Sequence, residues 1–165
     1  MHQDIYIFTD GACKGNPGPG GWGAIIVRCP DFVKEIGGHI PNTTNNQMEM
    51  LAAISALKDL NTEARKVRVF TDSNYLVQGM KSWIHGWKRK NWVNTQKKPV
   101  ANKELWLELD QLSTTLTIEW HHVRGHSGHP GNERADSIAS SFALNTPPTL
   151  YKGPKSEYPI QLSTP

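Results

Sequence analysis

The sequence of 165 residues has few cysteines and no long apolar run. Two cysteines, Cys13 and Cys29, exclude a disulfide-rich scaffold, and although their strands could pair we expect both thiols to be reduced. No stretch approaches the roughly 20 apolar residues that span a membrane, and the polar start at residues 1–4 is unlike a secretion signal. We therefore expect a cytoplasmic protein that has no membrane partner.

Acidic residues are missing from Ser73 to Lys103, although the whole chain has 15 of them. This basic segment of 31 residues carries seven Lys and Arg residues and leaves a net charge of −4 on the remainder, whereas the whole chain has +3. Tryptophans are interleaved with these cations. Surface lysines are often only solvated, and closely spaced tryptophans commonly pack a small core. Because so long a segment lacks acids, we favour a surface that binds a polyanion such as nucleic acid.

The alternation of apolar strands and helices predicts an α/β fold with one mixed sheet. Strands are predicted at residues 5–8, 22–27, 31–40, 66–71 and 114–123, and helices at 44–60, 75–80, 102–112 and from 130 onward. Three hairpin-like strands followed by strands that alternate with helices indicate helices on both faces of the sheet. We assign residues 1–144 to one domain. Residues 145–165 contain several prolines and no periodic pattern, so we expect an extended, peripheral tail.

Four acidic residues lie at the ends or first turns of these elements. Asp10 and Asp72 each follow an apolar strand and a threonine, and they would lie side by side if the two strands were parallel neighbours. Taken singly, each Asp could be an ordinary turn or capping residue. Glu49, in the first turn of an apolar helix, and Asp136, beside an apolar helical stripe, could likewise be ordinary helix acids.

Together these four acids can converge at one edge of the sheet. Carboxylates at so short a distance repel one another unless a cation lies between them. Magnesium is the hard divalent ion that best matches a few carboxylates plus phosphate oxygens, with manganese as the alternative. The sequence therefore predicts a metal site formed by Asp10, Glu49, Asp72 and Asp136.

Histidines cluster after the fifth strand, at His121, His122, His126 and His129. A histidine cluster can bind zinc, but Gly125 and Gly128 break any helical pairing and no cysteine lies nearby. We interpret His126, on a glycine-flanked loop, as a candidate for proton transfer.

Four motifs occur in a fixed order along the chain. They are Thr-Asp-Gly-Ala-Cys-x-Gly-Asn-Pro-Gly-Pro-Gly-Gly-Trp-Gly from Thr9, Thr-Asn-Asn-Gln-Met-Glu from Thr44, Thr-Asp-Ser from Thr71, and Val-Arg-Gly-His-Ser-Gly-His-Pro-Gly-Asn-Glu-Arg-Ala-Asp from Val123. With these motifs the chain resembles type 1 ribonuclease H of the bacterial single-domain kind over residues 4–143. The resemblance implies a five-stranded mixed sheet with strands one to three antiparallel. It also implies a basic helical protrusion at about 81–100.

The resemblance also implies roles for individual residues. The four acids become metal ligands, and His126 assists proton transfer or product release. Minor-groove contacts with the substrate match Asn16, Asn46 and Asn74, the last at a position where close relatives often have Gln. Thr44 resembles a residue that holds a DNA phosphate. Further nucleic-acid contacts fall in the basic protrusion, at Trp83, Lys88, Arg89, Lys97 and Lys98.

The implied activity is endonucleolytic hydrolysis of the RNA strand of RNA–DNA hybrids, which leaves 3′-hydroxyl and 5′-phosphate ends. Two ions about 3.5–4 Å apart would stabilise the attacking and leaving oxygens. We expect a monomer with no obligate protein partner. The alternatives are a non-catalytic hybrid-binding module and another nuclease of the same fold. A proofreading exonuclease would need Asp-x-Glu on the first strand, where this chain has Asp10-Gly11-Ala12.

Overall fold

The computed structural model describes residues 4–60, 66–125 and 128–163. Its centre is a mixed six-stranded sheet with the order β5-β4-β1-β2-β3-β6. The strands are β1 Ile5–Cys13, β2 Gly18–Arg28, β3 Phe32–Thr43, β4 Lys66–Thr71, β5 Thr117–His122 and β6 Lys152–Gly153. β1, β2 and β3 are antiparallel, whereas β4 and β5 add to β1 in parallel. The predicted fold class is therefore confirmed, with one more strand than expected.

In the described residues, five α-helices connect and cover the strands: α1 Asn45–Asp59, α2 Asn74–Gln78, α3 Ile84–Arg89, α4 Lys103–Thr115 and α5 Pro130–Ala143. A π-helical turn, Gly79–Trp83, joins α2 to α3. One apolar cluster lies between the sheet and α1, α2 and α4, with Trp106 fully buried in it. A second cluster lies on the opposite face, under α5. No described helix is both long and apolar enough to cross a membrane.

The two cysteines lie at opposite ends of the β1–β2 hairpin. Cys13 is opposite Gly20, near the turn, whereas Cys29 follows Arg28, which is opposite Ile5 at the other end. Both cysteines are free, as expected.

The tail is neither purely extended nor peripheral, so that expectation is wrong. β6 pairs with β3 at Val33 and Lys34, and the side chains of Tyr158 and Leu162 are buried in the cluster under α5. The tail has no periodic apolar pattern because it contacts the rest of the protein through single side chains rather than through one continuous apolar face. The tyrosines and the leucine of the tail were the sequence features that could have indicated this packing.

Glycines allow α5 to approach the sheet closely. A Cβ atom at Gly23 would lie 2.7 Å from Ile138, and one at Gly37 would lie 2.4 Å from the Phe142 ring. In α5 itself, a Cβ at Gly131 would lie 2.6 Å from the buried Phe8 ring. Because the opposing groups are backbone or tightly packed side chains, larger residues here would push the helix outward.

This packing predicts opposite effects for two helical glycines. Gly131→Ala should destabilise the protein by about 1–3 kcal/mol through overpacking against Phe8. Gly86→Ala in α3, where no atom lies within 4 Å of the added Cβ, should be neutral or stabilising by up to about 1 kcal/mol because alanine favours helices. Urea unfolding midpoints measure both. A stable Gly131→Ala protein would contradict the close packing of α5.

Candidate active site

The four predicted acids do come from four different elements around one end of the β1–β4 pair. Asp10 lies within β1 rather than at its end, because the antiparallel partner β2 extends the strand to Cys13. The parallel pairing of β1 with β4, however, stops at Phe8 and Phe70. Asp10 and Asp72 both lie just beyond that point, which is why they face each other across the gap.

Three of the acids form a compact group. One ligand oxygen each of Asp10, Glu49 and Asp72 lies within 4.8 Å of the others. Asp10 and Glu49 are buried, with exposures of 7% and 4%, whereas Asp72 is partly exposed. Of these three acids, Asp72 is thus the one most accessible to solvent.

Gly11 connects two members of this group. Its backbone N–H donates to Asp10 Oδ1 at 2.9 Å and to Glu49 Oε1 at 3.1 Å. A Cβ at Gly11 would lie 2.5 Å from the Glu49 backbone nitrogen, so only glycine lets α1 approach β1 this closely. Gly11 was not among the predicted site residues, although its place directly after Asp10 was a usable signal.

The start of α1 is fixed by a complete capping box. Thr44 Oγ1 accepts from the Gln47 backbone N–H at 3.2 Å, and Gln47 Oε1 accepts from the Thr44 N–H at 3.2 Å. Because this arrangement sets the first turn, it also fixes the direction of Glu49.

Burial and mutual repulsion change the titration of the acidic group. Desolvation and the facing Glu49 raise the pKa of Asp10 far above its usual range, and burial also raises the pKa of Glu49. Repulsion from Asp72 adds to both shifts. An unfolded chain releases these protons near pH 4, whereas the folded pair keeps at least one at neutral pH. The pair therefore costs stability that grows as the pH rises above about 4.

Asp136 completes the set from α5. It lines one small pocket with Asp10 and Asp72, and a second pocket with all three other acids. Asn132, on the same helix, donates to the carbonyl oxygen of Phe70 at 3.0 Å, so α5 is tied to the strand that leads to Asp72. This contact could not be predicted from the sequence, because the residue at which the parallel pairing of β1 with β4 ends was not known.

His126 lies outside the described residues, so its role stays a prediction. The pocket that contains Asp136 is also lined by residues on both sides of that position, Gly125 and His129. The loop that carries His126 therefore starts and ends beside the acids.

A groove next to the acids holds two of the predicted nucleic-acid contacts. Asn46 and Asn74 are exposed and line a pocket together with Asp10, Glu49 and Asp72. Asn16 is exposed as well and accepts from the Asn45 backbone N–H at 3.0 Å, at the start of α1. Thr44 caps that helix, so its hydroxyl already has one partner.

The basic segment forms the helical stretch from α2 to α3 and the loop before α4. Its tryptophans pack on one another, and the ring centroid of Trp87 lies 5.2 Å from that of buried Trp106. The side chain of Trp83 is 40% exposed. Arg89, Lys97 and Lys98 are exposed.

Lys88 differs from its neighbours because it pairs with Asp110 at 3.1 Å. Since α4 supplies this acid from outside the segment, the pairing was not evident from local sequence.

Known proteins resemble this chain over most of its length. The family model for RNase H matches residues 2–143. A ribonuclease H of Bradyrhizobium sp. is 57% identical over 135 residues, which are 82% of this chain and 86% of the relative. A ribonuclease H of Thermosynechococcus vestitus is 52% identical over 146 residues, 87% of this chain and 91% of the relative.

Solved structures agree with these sequence relatives. LC9-RNase H1, described as a type 1 RNase H with the type 2 active-site motif, superposes with a TM-score of 0.81 at 30% identity and covers 92% of this chain and 78% of its own. LC11-RNase H1, solved in complex with an RNA/DNA hybrid, has a TM-score of 0.63 at 27% identity over 86% of this chain and 98% of its own. The chain with its acids gathered beside β1 and β4 belongs to the ribonuclease H family.

Proposed function

We propose that this protein is an endonuclease that hydrolyses the RNA strand of RNA–DNA hybrids and leaves 3′-hydroxyl and 5′-phosphate ends. The observation that carries the proposal is the group of Asp10, Glu49 and Asp72, whose ligand atoms lie within 4.8 Å at the floor of an asparagine-lined groove. Membership of the ribonuclease H family and the hybrid bound to LC11-RNase H1 support the same substrate.

The donor set fits a hard divalent cation. All of its side-chain ligands are carboxylate oxygens, and Glu49 Oε2 is buried without a hydrogen-bond donor among the described residues. The facing Asp10 carboxyl can supply a donor only while it is protonated. We assign Asp10, Glu49, Asp72 and Asp136 as the residues that hold Mg²⁺, or Mn²⁺ in its place, as two ions when substrate is bound. Such ions supply Lewis-acid stabilisation of the attacking and leaving oxygens.

The protein's own groups perform the remaining tasks. Gly11 N–H holds the Asp10 and Glu49 carboxylates in one orientation. Asp72, partly exposed, and Asp136 face the groove from β4 and α5. We propose that His126 moves a proton or assists product release, the roles that histidine commonly takes in catalysis.

Substrate selection belongs to the groove. Asn16, Asn46 and Asn74 offer amide donors and acceptors suited to the minor groove of a hybrid, where the 2′-hydroxyl distinguishes RNA from DNA. Thr44 lies at the same helix start and is the candidate for a DNA phosphate contact.

The exposed Trp83 and the cations of the basic segment extend this surface. Because Lys88 is paired with Asp110, it would have to exchange partners to bind a phosphate.

A purely hybrid-binding module is the weaker alternative. Binding a polyanion gains nothing from three clustered carboxylates, which repel phosphate and cost folding stability when metal is absent. A monomer without an obligate partner and a cytoplasmic location remain predictions.

Asp72→Asn should abolish hybrid cleavage while the fold is kept. The substitution preserves shape but removes a charge that holds the cation, and relief of repulsion should raise the melting temperature in the absence of metal. Hybrid binding should persist through the groove and the basic segment. Strand-labelled hybrid, duplex DNA and duplex RNA, each with and without Mg²⁺, provide the cleavage assay.

Asp4→Asn is the matched control, because Asp4 is exposed and lies at the other end of β1. It should cleave like the wild type. An Asp72 that only capped a turn would tolerate Asn well. Full hybrid cleavage by a folded Asp72→Asn protein would therefore rule out the metal-dependent reaction proposed here.

Neutralising the basic segment should weaken hybrid binding and its dependence on salt. In the triple variant Arg89→Gln, Lys97→Gln and Lys98→Gln, the slope of log affinity against log salt should fall by about 0.7–0.9 for every phosphate that no longer meets a cation. Cleavage at saturating hybrid should continue, since these residues lie outside both pockets that contain the acids.

The control for total charge is the triple variant Lys58→Gln, Lys66→Gln and Lys152→Gln, whose residues are exposed and lie outside the basic segment. Its salt slope should match the wild type. Equal slopes for all three proteins would show that the basic segment is only a solvated surface.

A further inference from the structure

Glu35 is a buried carboxylate that the reaction proposed above does not use. Its side chain is only 1% exposed, yet it receives four hydrogen bonds. Arg134 donates through Nε at 2.7 Å and Nη2 at 3.0 Å, the Tyr151 backbone N–H donates at 2.9 Å, and the Tyr158 hydroxyl donates at 2.5 Å. Although burial opposes ionisation, these donors hold the pKa of Glu35 below its usual range.

The donors reach Glu35 from two separate parts of the chain. Arg134 belongs to α5, whereas Tyr151 and Tyr158 belong to the C-terminal segment, residues 145–163. In the same segment, the carbonyl oxygen of Thr149 accepts a hydrogen bond from Arg134 Nη2 at 3.3 Å. It thus covers the Glu35–Arg134 pair and completes its hydrogen bonding, as a buried ion pair requires. The family model's match ends at residue 143, before this segment.

Glu35 and Asp10 lie on the same face of the sheet. Asp10, Gly23 and Gly37 are in register across β1, β2 and β3. Glu35 precedes Gly37 by two residues, so its side chain leaves the same face one step away from the row that contains Asp10. α5 crosses this face, with Ile138 packed over both Gly23 and Gly37.

Arg134 and Asp136 therefore act on opposite flanks of one helix. Two residues correspond to about 200° around an α-helix. Arg134 bonds to Glu35 on β3, while Asp136 lines the same pockets as Asp10 on β1. A helix tied on one flank cannot rotate about its axis, and that rotation is what would move Asp136 away from Asp10.

We propose that the C-terminal segment and Glu35 position α5 for metal binding: by completing the Glu35–Arg134 pair they fix the rotation of the helix and hold Asp136 at the acidic group. Glu35 is a positioning residue, since it acts through Arg134 and α5. The inference rests on the proposed function, because it assigns Asp136 a part in holding the divalent cation.

The test measures Mg²⁺ binding by calorimetry on the full chain without substrate, together with the melting temperature and hybrid cleavage. Loss of a direct outer partner of a metal ligand costs about 10–100-fold in affinity, and Glu35 acts one step further away, so the low end of that range is expected. Glu35→Gln should therefore weaken Mg²⁺ binding by about 10-fold. Tyr158→Phe, which removes one donor and keeps the buried ring, should weaken it in the same direction but less. Cleavage by Tyr158→Phe should recover at saturating Mg²⁺.

Lys155→Met is the matched control, because Lys155 joins the same segment to Tyr6 at 3.0 Å without touching Glu35. It should change the melting temperature without changing Mg²⁺ affinity. If Glu35→Gln and Tyr158→Phe lower the melting temperature but bind Mg²⁺ like the wild type, the segment only stabilises the fold and the proposal is overturned. Asp72→Asn in the same titration distinguishes failure of the positioning role from failure of the proposed metal site. Wild-type Mg²⁺ affinity in that variant would contradict the metal site itself.

Discussion

Mutual repulsion among buried carboxylates is the constraint on which the active end of this protein depends. Asp10, Glu49 and Asp72 bring ligand oxygens within 4.8 Å of one another, and two of these residues are shielded from water. Such a group is stable only when a proton or a cation separates the charges. The raised pKa values of Asp10 and Glu49 favour a proton between the charges in the metal-free protein, whereas the proposed activity requires a cation there. The rest of the fold supplies the rigidity that prevents the acids from moving apart.

That rigidity comes from close backbone contacts. Gly11 allows α1 to lie against β1, and Gly131 allows α5 to lie against Phe8. Substitution at either position would displace a helix that carries one of the acids. The stability that the acids cost is offset in the two apolar clusters on either face of the sheet. The exposed cations Arg89, Lys97 and Lys98 of the basic segment lie outside both pockets that contain the acids.

The sequence predicted the parts of the site that depend on strand direction and local caps. Asp10 and Asp72 were paired correctly because parallel strands present equivalent positions at one edge. Glu49 was placed on the correct helix, but it lies just past the first turn of α1 rather than within it. Contacts between distant segments could not be read in the same way. The bond from Asn132 to Phe70 depends on where two strands part, and two of the four hydrogen bonds to Glu35 come from a tail without periodicity. His126 falls in a loop outside the described residues, so the structure leaves its predicted role untested.

The central claim is that a divalent cation replaces the proton shared within the acidic group. Titration of Mg²⁺ into the free protein by calorimetry at pH 7, in buffers with different ionisation enthalpies, counts the protons released on binding. The account predicts that protons are released on binding and that affinity rises with pH, because burial and repulsion favour the protonated forms of Asp10 and Glu49 in the metal-free protein. Asp10→Asn should remove that release. Tight Mg²⁺ binding with no proton release would contradict the account.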